Sequence, residues 1–189
     1  MNTNIYLVRH AQSTYTPDEL NRPLSEKGLK DAERITEILL GENINYVFSS
    51  PYKRAIQTVE GAAKNVNIEV IIEEGFKERR IAEGSVEDFH NAMAKLWANY
   101  DFSFNGGESN FQAQERGVKS INKILDEYKG NNIVIGTHGN IMVLIMNYFD
   151  SRYNYEFWKN LAMPDVYKLS FQDNKFIQAE RILSDRNKK

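Results

Sequence analysis

The chain contains only three histidines, and two of them stand directly after short apolar runs. Arg9-His10 follows Ile5-Tyr6-Leu7-Val8, and His138-Gly139 follows Ile133-Val134-Ile135-Gly136-Thr137. A second arginine, Arg54, falls in the first turn of the helix expected after Tyr46-Val47-Phe48-Ser49-Ser50. Two guanidinium groups and two imidazoles at the ends of strands, where helix N-termini also point, suit a phosphate-like anion. A neutral imidazole is a competent nucleophile near pH 7, because its ordinary pKa is about 6.5. Attack by it would divide phosphoryl transfer into two easier steps through a phosphohistidine, given anion clamps and an acid for the leaving oxygen. The third histidine, His90, lies on a helix away from the strand ends and reads as structural. A metal site is set aside: no His-x-His or His-Glu-x-x-His spacing occurs, and the neighbouring arginines would oppose a cation.

These residues need a scaffold, and the pattern supplies one. Short apolar runs at Ile5–Val8, Tyr46–Phe48, Ile68–Ile72 and Ile133–Ile135 alternate with helical periodicity. Ser25 is a candidate N-cap for a helix with Leu29, Ala32, Ile35 and Leu39 on one face. Ser50 and Pro51 read as N-cap and first position of the next, which runs to about Ala63. Ser109 with Gln112 forms a capping box before a helix with Phe111, Val118, Ile121, Leu125 and Tyr128 on its apolar face, ended by Gly130. A mostly buried helix is expected over Asn140–Phe149, and a closing hairpin over Val166–Phe171 and Phe176–Ile182. The reading is an α/β protein: three layers, a mostly parallel mixed sheet flanked by helices, with an antiparallel edge from the hairpin. Ligands of such sheets bind beyond the carboxyl ends of the strands.

The balance of 24 Lys+Arg against 26 Asp+Glu gives a formal charge of −2, which argues against a nucleic-acid partner. Cysteine is absent, so thiol nucleophiles, disulfides and Cys-ligated metals are excluded. The chain opens without a secretory pattern and holds no apolar run near the ~20 residues that span a bilayer, so a cytoplasmic protein with no membrane partner is expected. At 189 residues, with 41% hydrophobic and 26% charged, one domain is expected over 1–184, then a polar tail over 185–189. Within it, residues 79–107 read as a short cap-like excursion with a helix near Val86–Trp97. Its aromatics Trp97, Tyr100, Phe102 and Phe104, with Phe76 before them, would either line a pocket or form the excursion's own core. Arg22 reads as a surface charge.

At these residues the sequence resembles the histidine phosphatase superfamily, the phosphoglycerate mutase-like family, in its compact phosphatase branch. Leu7-Val8-Arg9-His10-Ala11-Gln12-Ser13 is similar to the family's Arg-His-Gly-Glu-Thr/Ser signature, and Arg22-Pro23-Leu24-Ser25-Glu26-Lys27-Gly28 through Ala32 to the Leu-Thr-x-x-Gly-x-x-Gln-Ala that follows it. Ser49-Ser50-Pro51-Tyr52-Lys53-Arg54-Ala55-Ile56-Gln57-Thr58 resembles Ser-Ser/Asp-x-x-x-Arg-Ala-x-Gln-Thr. Phe76-Lys77-Glu78, Gly107-Glu108-Ser109 and Thr137-His138-Gly139-Asn140 match three further motifs, in order. The resemblance implies His10 as the nucleophile that becomes phosphorylated, with Arg9, Arg54 and His138 binding the phosphoryl oxygens. It implies Glu78 as proton donor to the leaving group and then base for water, selected over Glu73, Glu74 and Glu83 by the motif alone. A carboxyl beside a phosphate dianion has its protonated form favoured, which suits an acid. Gly139 and Thr16 are secondary candidates; Thr16 stands where mutase relatives carry Asn. Ala11 replaces the usual Gly, which would cost strain if φ there were positive. No metal and no cofactor are implied.

Three functions follow. The first is a phosphomonoesterase acting on small phosphorylated metabolites, with a phosphoprotein substrate also compatible. The second is a cofactor-dependent phosphoglycerate mutase, disfavoured because only residues 79–107 separate the acid from the Gly-Glu-Ser motif, too short a cover to keep water out. The third is a non-catalytic phosphate-binding or interaction module, disfavoured by the intact set His10, Arg9, Arg54, His138 and Glu78.

Overall fold

The computed structural model describes residues 1–183; the expected polar tail at 185–189 lies outside the described residues. Twelve main elements follow in order: β1 (Asn2–Arg9), α1 (Glu26–Leu39), β2 (Tyr46–Ser49), α2 (Lys53–Asn65), β3 (Val70–Ile72), α3 (Phe89–Ala98), α4 (Asn110–Glu127), β4 (Asn132–Thr137), α5 (Gly139–Phe149), α6 (Tyr155–Asn160), β5 (Asp165–Gln172) and β6 (Lys175–Arg181). The six strands form one sheet in the order β3-β2-β4-β1-β5-β6. The first four run parallel; β5 is antiparallel to β1 and β6 to β5. The expected mixed sheet with an antiparallel edge is what forms.

Alternation along the strands builds the layers. Ile5 and Leu7 of β1, with Ile133 and Ile135 of β4, turn to one face and pack with Ile121, Leu125, Ile141 and Leu144 of α4 and α5. Tyr6 and Val8, with Val134, turn to the other and meet Ile35, Leu39, Val59 and Ala62 of α1 and α2. Each fully buried aliphatic side chain contributes about 1.5–3 kcal/mol, so these two clusters hold the sheet between its helices. Helix α5 is buried from Gly139 to Met146, as its apolar sequence requires. The hairpin turns at Asp173 and Asn174, both at positive φ, the two-residue geometry that Asp and Asn tolerate.

Register brings the strand ends level. Arg9 pairs with Thr137, and Ser49 with Gly136, so β1, β4 and β2 end side by side. His10 N–H then donates to Thr137 O at 2.9 Å and Ser50 N–H to Gly136 O at 2.9 Å. The residue after each strand, His10, Ser50 or His138, therefore emerges at one crevice.

Several local expectations are corrected. Helix α2 starts at Lys53, not Pro51, because the Ser50 hydroxyl is engaged with His138 rather than capping a helix. The third strand is shortened to Val70–Ile72, since Ile68 N–H still donates to Ala63 O at the end of α2. Helix α3 begins at Phe89, where the Asp88 carboxylate accepts from Asn91 N–H at 3.0 Å. Leu29 and Phe111, placed on apolar faces by spacing, are 46% and 52% exposed. The capping box of Ser109 and Gln112 forms as expected. Helix α4 ends at Glu127, and Gly130, at φ 78°, instead makes the turn into β4, its N–H donating to Thr3 Oγ1 at 2.9 Å.

Candidate active site

His10 sits at the centre of the crevice. Its Nδ1 lies 2.7 Å from the carbonyl of Ala11, which can only accept, so Nδ1 carries the hydrogen and Nε2 the lone pair. Arg54 Nε–H donates to that Nε2 at 3.3 Å, consistent with the same tautomer. Burial pulls the imidazole down to about 4, and the charges of Arg54, Arg9 and Arg22 act in the same direction. The ring is thus neutral at pH 7, with its lone pair directed to the arginines.

Around it Arg54, Arg9 and His138 assemble. Arg54, 6% exposed, rises from the first turn of α2, with Nη1 on Glu19 O at 2.9 Å and its guanidinium 4.7 Å over the Tyr52 ring. Thr58, one turn on, donates to Arg54 O at 2.7 Å and accepts from Ala11 N–H at 3.1 Å, tying the loop after His10 to this helix. Arg9 directs Nη1 to Leu161 O at 2.7 Å and Ala162 O at 3.0 Å, while its Nε is buried without a partner among the described residues. Burial lowers both arginines from their ordinary range, and the charge of Glu78 opposes this in each.

His138 lies with its ring centroid 5.1 Å from that of His10 and is fully buried. Ser50 Oγ accepts from Tyr52 N–H at 3.2 Å and meets His138 Nε2 at 2.7 Å. Burial, with the charges of His10, Arg54, Arg116 and Arg9, holds this imidazole well below the ordinary value and so neutral. In the tautomer in which the Ser50 hydroxyl donates to Nε2, the ring hydrogen lies on Nδ1, which has no partner among the described residues and can donate to an oxyanion.

Glu78 completes the group. Its Oε1 accepts from Arg79 N–H at 2.8 Å and Ile141 N–H at 3.2 Å, and its Oε2 from Asn140 N–H at 3.2 Å. The carboxylate thus sits on the N-terminus of α5, beside His138 and Gly139, where the helix dipole favours an anion. Several first-turn amides are already taken: Glu78 accepts from Asn140 and Ile141 of α5, and Leu20 O and Tyr52 O accept from Lys53 and Ala55 in α2.

The structure separates Glu78 from its rivals. Glu73 accepts from Gly75 N–H and Ser120 Oγ, Glu74 pairs with Lys77, and Glu83 is exposed beside Gly106. The segment carrying Glu78 is fastened by a network that sequence reasoning missed. Arg79, 3% exposed, donates to Glu108 O at 2.7 and 3.1 Å and to Asn110 Oδ1. Arg116 holds both oxygens of Glu108 at 2.9 Å and donates to Gly75 O and Lys77 O. Gly107 permits this junction, since a Cβ there would lie 2.0 Å from Ile81 O. The Gly-Glu-Ser motif therefore anchors the loop that carries Glu78; the adjacent pair Arg79-Arg80 gave no sign of which arginine turns inward.

Gly139 is in place against Arg9: a Cβ there would stand 3.1 Å from the guanidinium carbon. The Thr16 hydroxyl donates to Asp18 O at 3.0 Å within its own loop. Ala11 is fully buried against Leu24 and Ala32, and positive φ among non-glycine described residues is confined to Asn43, Asn67, Asp173 and Asn174, so it carries no backbone strain. The aromatics divide: Phe76 is fully buried and Trp97 and Tyr100 pack on the α4–α5 cluster, whereas Phe102 and Phe104 are half-buried and pair with each other, Phe104 also lining a surface cavity with Val86, Asp88 and Asn91. His90 is exposed on α3, away from the other two histidines. Among the described residues no group of three or more His, Asp or Glu side chains could hold a metal ion, and no helix is long and apolar enough to cross a membrane.

A neutral imidazole whose lone pair meets only the 3.3 Å contact from Arg54 Nε, two embedded guanidiniums, a second imidazole and a carboxyl together can perform in-line phosphoryl transfer. Comparison with known proteins agrees. The model of the histidine phosphatase superfamily (branch 1) matches residues 5–181. Phosphoglycerate mutase-like protein 4 of Arabidopsis thaliana is 30% identical over 154 residues, 73% of this chain and 67% of that protein. A metal-independent phosphoserine phosphatase of the same plant is 30% identical over 156 residues, 74% and 66% of the two chains. The chain thus spans about two thirds of the length of these relatives. Among solved structures, a mycobacterial glucosyl-3-phosphoglycerate phosphatase superposes with a TM-score of 0.75 at 16% identity, covering 96% of this chain and 97% of that one. A phosphoserine phosphatase of Entamoeba histolytica bound to phosphoserine gives 0.76 at 16%, covering 93% and 94%.

Proposed function

The chain belongs to the histidine phosphatase superfamily, and we propose that it is a phosphoric monoester hydrolase for small phosphorylated metabolites, working through a phosphohistidine on His10. The observation that carries this reading is the His10 tautomer: Nδ1 bound to Ala11 O leaves the Nε2 lone pair for phosphorus. Arg9, Arg54 and His138 Nδ1–H hold the three non-bridging oxygens and the charge that develops on them. Nε2 attacks phosphorus in line, the bond from phosphorus to the ester oxygen breaks, and Glu78, protonated once the phosphate dianion is bound beside it, gives that oxygen its proton. Water then attacks the phosphohistidine, Glu78 takes the proton, and the P–N bond breaks to release inorganic phosphate and neutral His10.

Hydrolysis is favoured over mutase chemistry by the short segment between Glu78 and Glu108. Its single helix, α3, packs through Trp97 and Phe89 onto Tyr155 and Trp158 of α6. The phosphatase names among the relatives, phosphoserine phosphatase included, support a small-metabolite substrate. The test is phosphate release from a panel of phosphomonoesters with EDTA present, by wild type and His10→Ala in parallel. Turnover that is insensitive to chelator and lost with His10 is expected; turnover dependent on a divalent metal, or retained without His10, overturns the reading.

A further inference from the structure

The loop joining β1 to α1 places a second set of charges beside the phosphate clamp. Arg54 Nη1, besides bonding Glu19 O, lies 3.2 Å from Glu19 Oε2. The other oxygen of that carboxylate, Oε1, meets Arg22 Nη2 at 2.6 Å. Arg22, expected at the surface, is instead held inward: its Nη2 and Nε donate to Thr16 O at 2.8 and 3.3 Å, and its guanidinium lies 4.7 Å over the Tyr15 ring. Exposure divides the three partners. The side chains of Arg54 and Arg22 are 7% and 16% exposed, that of Glu19 56%. Both cations are embedded and pinned by main-chain carbonyls, whereas the anion that joins them stands in solvent and can swing away.

A carboxylate shared by two embedded guanidiniums is an in-chain occupant of an anion site. We infer that the position of the Glu19 carboxylate is a second anion subsite, read by Arg22, which takes a carboxylate or second phosphate of the substrate in exchange for Glu19. The inference deepens the phosphomonoesterase reading and rests on it for the first subsite. One planar group touches both places: Arg54 Nε is 3.3 Å from the nucleophilic Nε2 of His10 while its Nη1 faces Glu19. The two anions of the ligand therefore lie on either side of a single guanidinium, which limits the substrate to a compact phosphomonoester with its second anionic group a few bonds from the ester oxygen. Glu19 has two effects in this arrangement. It neutralises the cations in the free protein, and it disfavours monoesters whose tails cannot replace it.

The experiment compares matched pairs that differ in the second anion: 3-phosphoglycerate with glycerol 3-phosphate, and O-phosphoserine with phosphoethanolamine. The readout is the ratio of kcat/KM within each pair for wild type, Arg22→Gln, Arg22→Lys and Glu19→Gln. A charged hydrogen-bonded contact is commonly worth about tenfold or more, so Arg22→Gln should lower the ratio about tenfold and Arg22→Lys less. Glu19→Gln should raise it several-fold, because the internal competitor is gone. Opposite signs from the two halves of one ion pair are the signature; a pair that only braces the loop would shift both members of each substrate pair alike, and that result overturns the subsite. The same ratios, measured as Kd by calorimetry on His10→Ala backgrounds, decide the question if no compound turns over. Absent turnover then counts against the phosphatase reading, and unchanged Kd ratios count against the subsite.

Discussion

If His10 is the nucleophile, its lone pair must be available across the working pH range, and the structure says by how much. Burial and the charges of Arg54, Arg9 and Arg22 bring the imidazole from its ordinary 6.5 to about 4. At about 1.4 kcal/mol per pH unit, that difference corresponds to about 3 kcal/mol favouring the neutral ring. At pH 5.5 an ordinary imidazole is about 90% protonated, whereas His10 is about 3% protonated. The ring nitrogens report this directly: with three histidines in the chain, a long-range proton–nitrogen spectrum followed from pH 8 to 4 resolves each ring, and His10→Ala assigns the signal. The expected spectrum shows a neutral Nδ1–H tautomer that persists to below pH 5. The kinetic counterpart is an acid limb of kcat/KM with no contribution from His10 above pH 5, once the second ionisation of the substrate is allowed for. Stability carries the same signature with a definite sign. A folded pKa below the unfolded one gives a contribution that is fully present above pH 6.5 and is lost as pH falls toward 4, here about 3 kcal/mol. A His10 titration midpoint between 6 and 7 would refute the claim that burial and the arginines hold the nucleophile neutral.

Other consequences follow from single contacts. Glu78→Gln keeps a hydrogen-bonding side chain at the start of α5 but removes the transferable proton, so substrates with poor leaving groups should slow about 10²-fold or more. p-Nitrophenyl phosphate should lose much less, and equal losses on both would move the acid role to another carboxyl. Gly139→Ala places a methyl group 3.1 Å from the Arg9 guanidinium carbon, so the clamp must shift while the helix itself prefers Ala. The inhibition constant for inorganic phosphate should rise about tenfold, the size of one charge-assisted contact, with an unchanged thermal midpoint; an unchanged constant would show that Arg9 does not hold the anion.

Much of the site was legible because its residues follow strands. An apolar run ending in Arg-His or Thr-His states both where a strand stops and what emerges there, and parallel pairing in register does the rest: Arg9 beside Thr137, Ser49 beside Gly136. Less legible were partners whose role is set by tertiary contact. Ser50-Pro51 carries an N-cap pattern, yet its hydroxyl is taken by His138, 88 residues away in sequence. Arg22 and Arg79 look like surface charges, since periodicity says nothing about a side chain held inward by main-chain carbonyls of its own loop or of a distant one. The aromatic stretch 97–104 was equally compatible with pocket and core; packing decides for core at Trp97 and Tyr100, while Phe102 and Phe104 stay half-buried, Phe104 at a surface cavity. Glu78 was selected by a short motif, and the three amides that hold it lie in segments no local pattern connects.

The central claim is a covalent phosphohistidine at one named atom. The direct measurement is to mix the protein with a good substrate, quench in alkali within the first turnover, and locate the phosphoryl group by mass spectrometry. The account predicts it on His10 in wild type, more of it in Glu78→Gln where hydrolysis is slowed, and none in His10→Ala, which should not turn over. Steady turnover with no phosphoryl group on His10, or activity of His10→Ala within a few-fold of wild type, would contradict it.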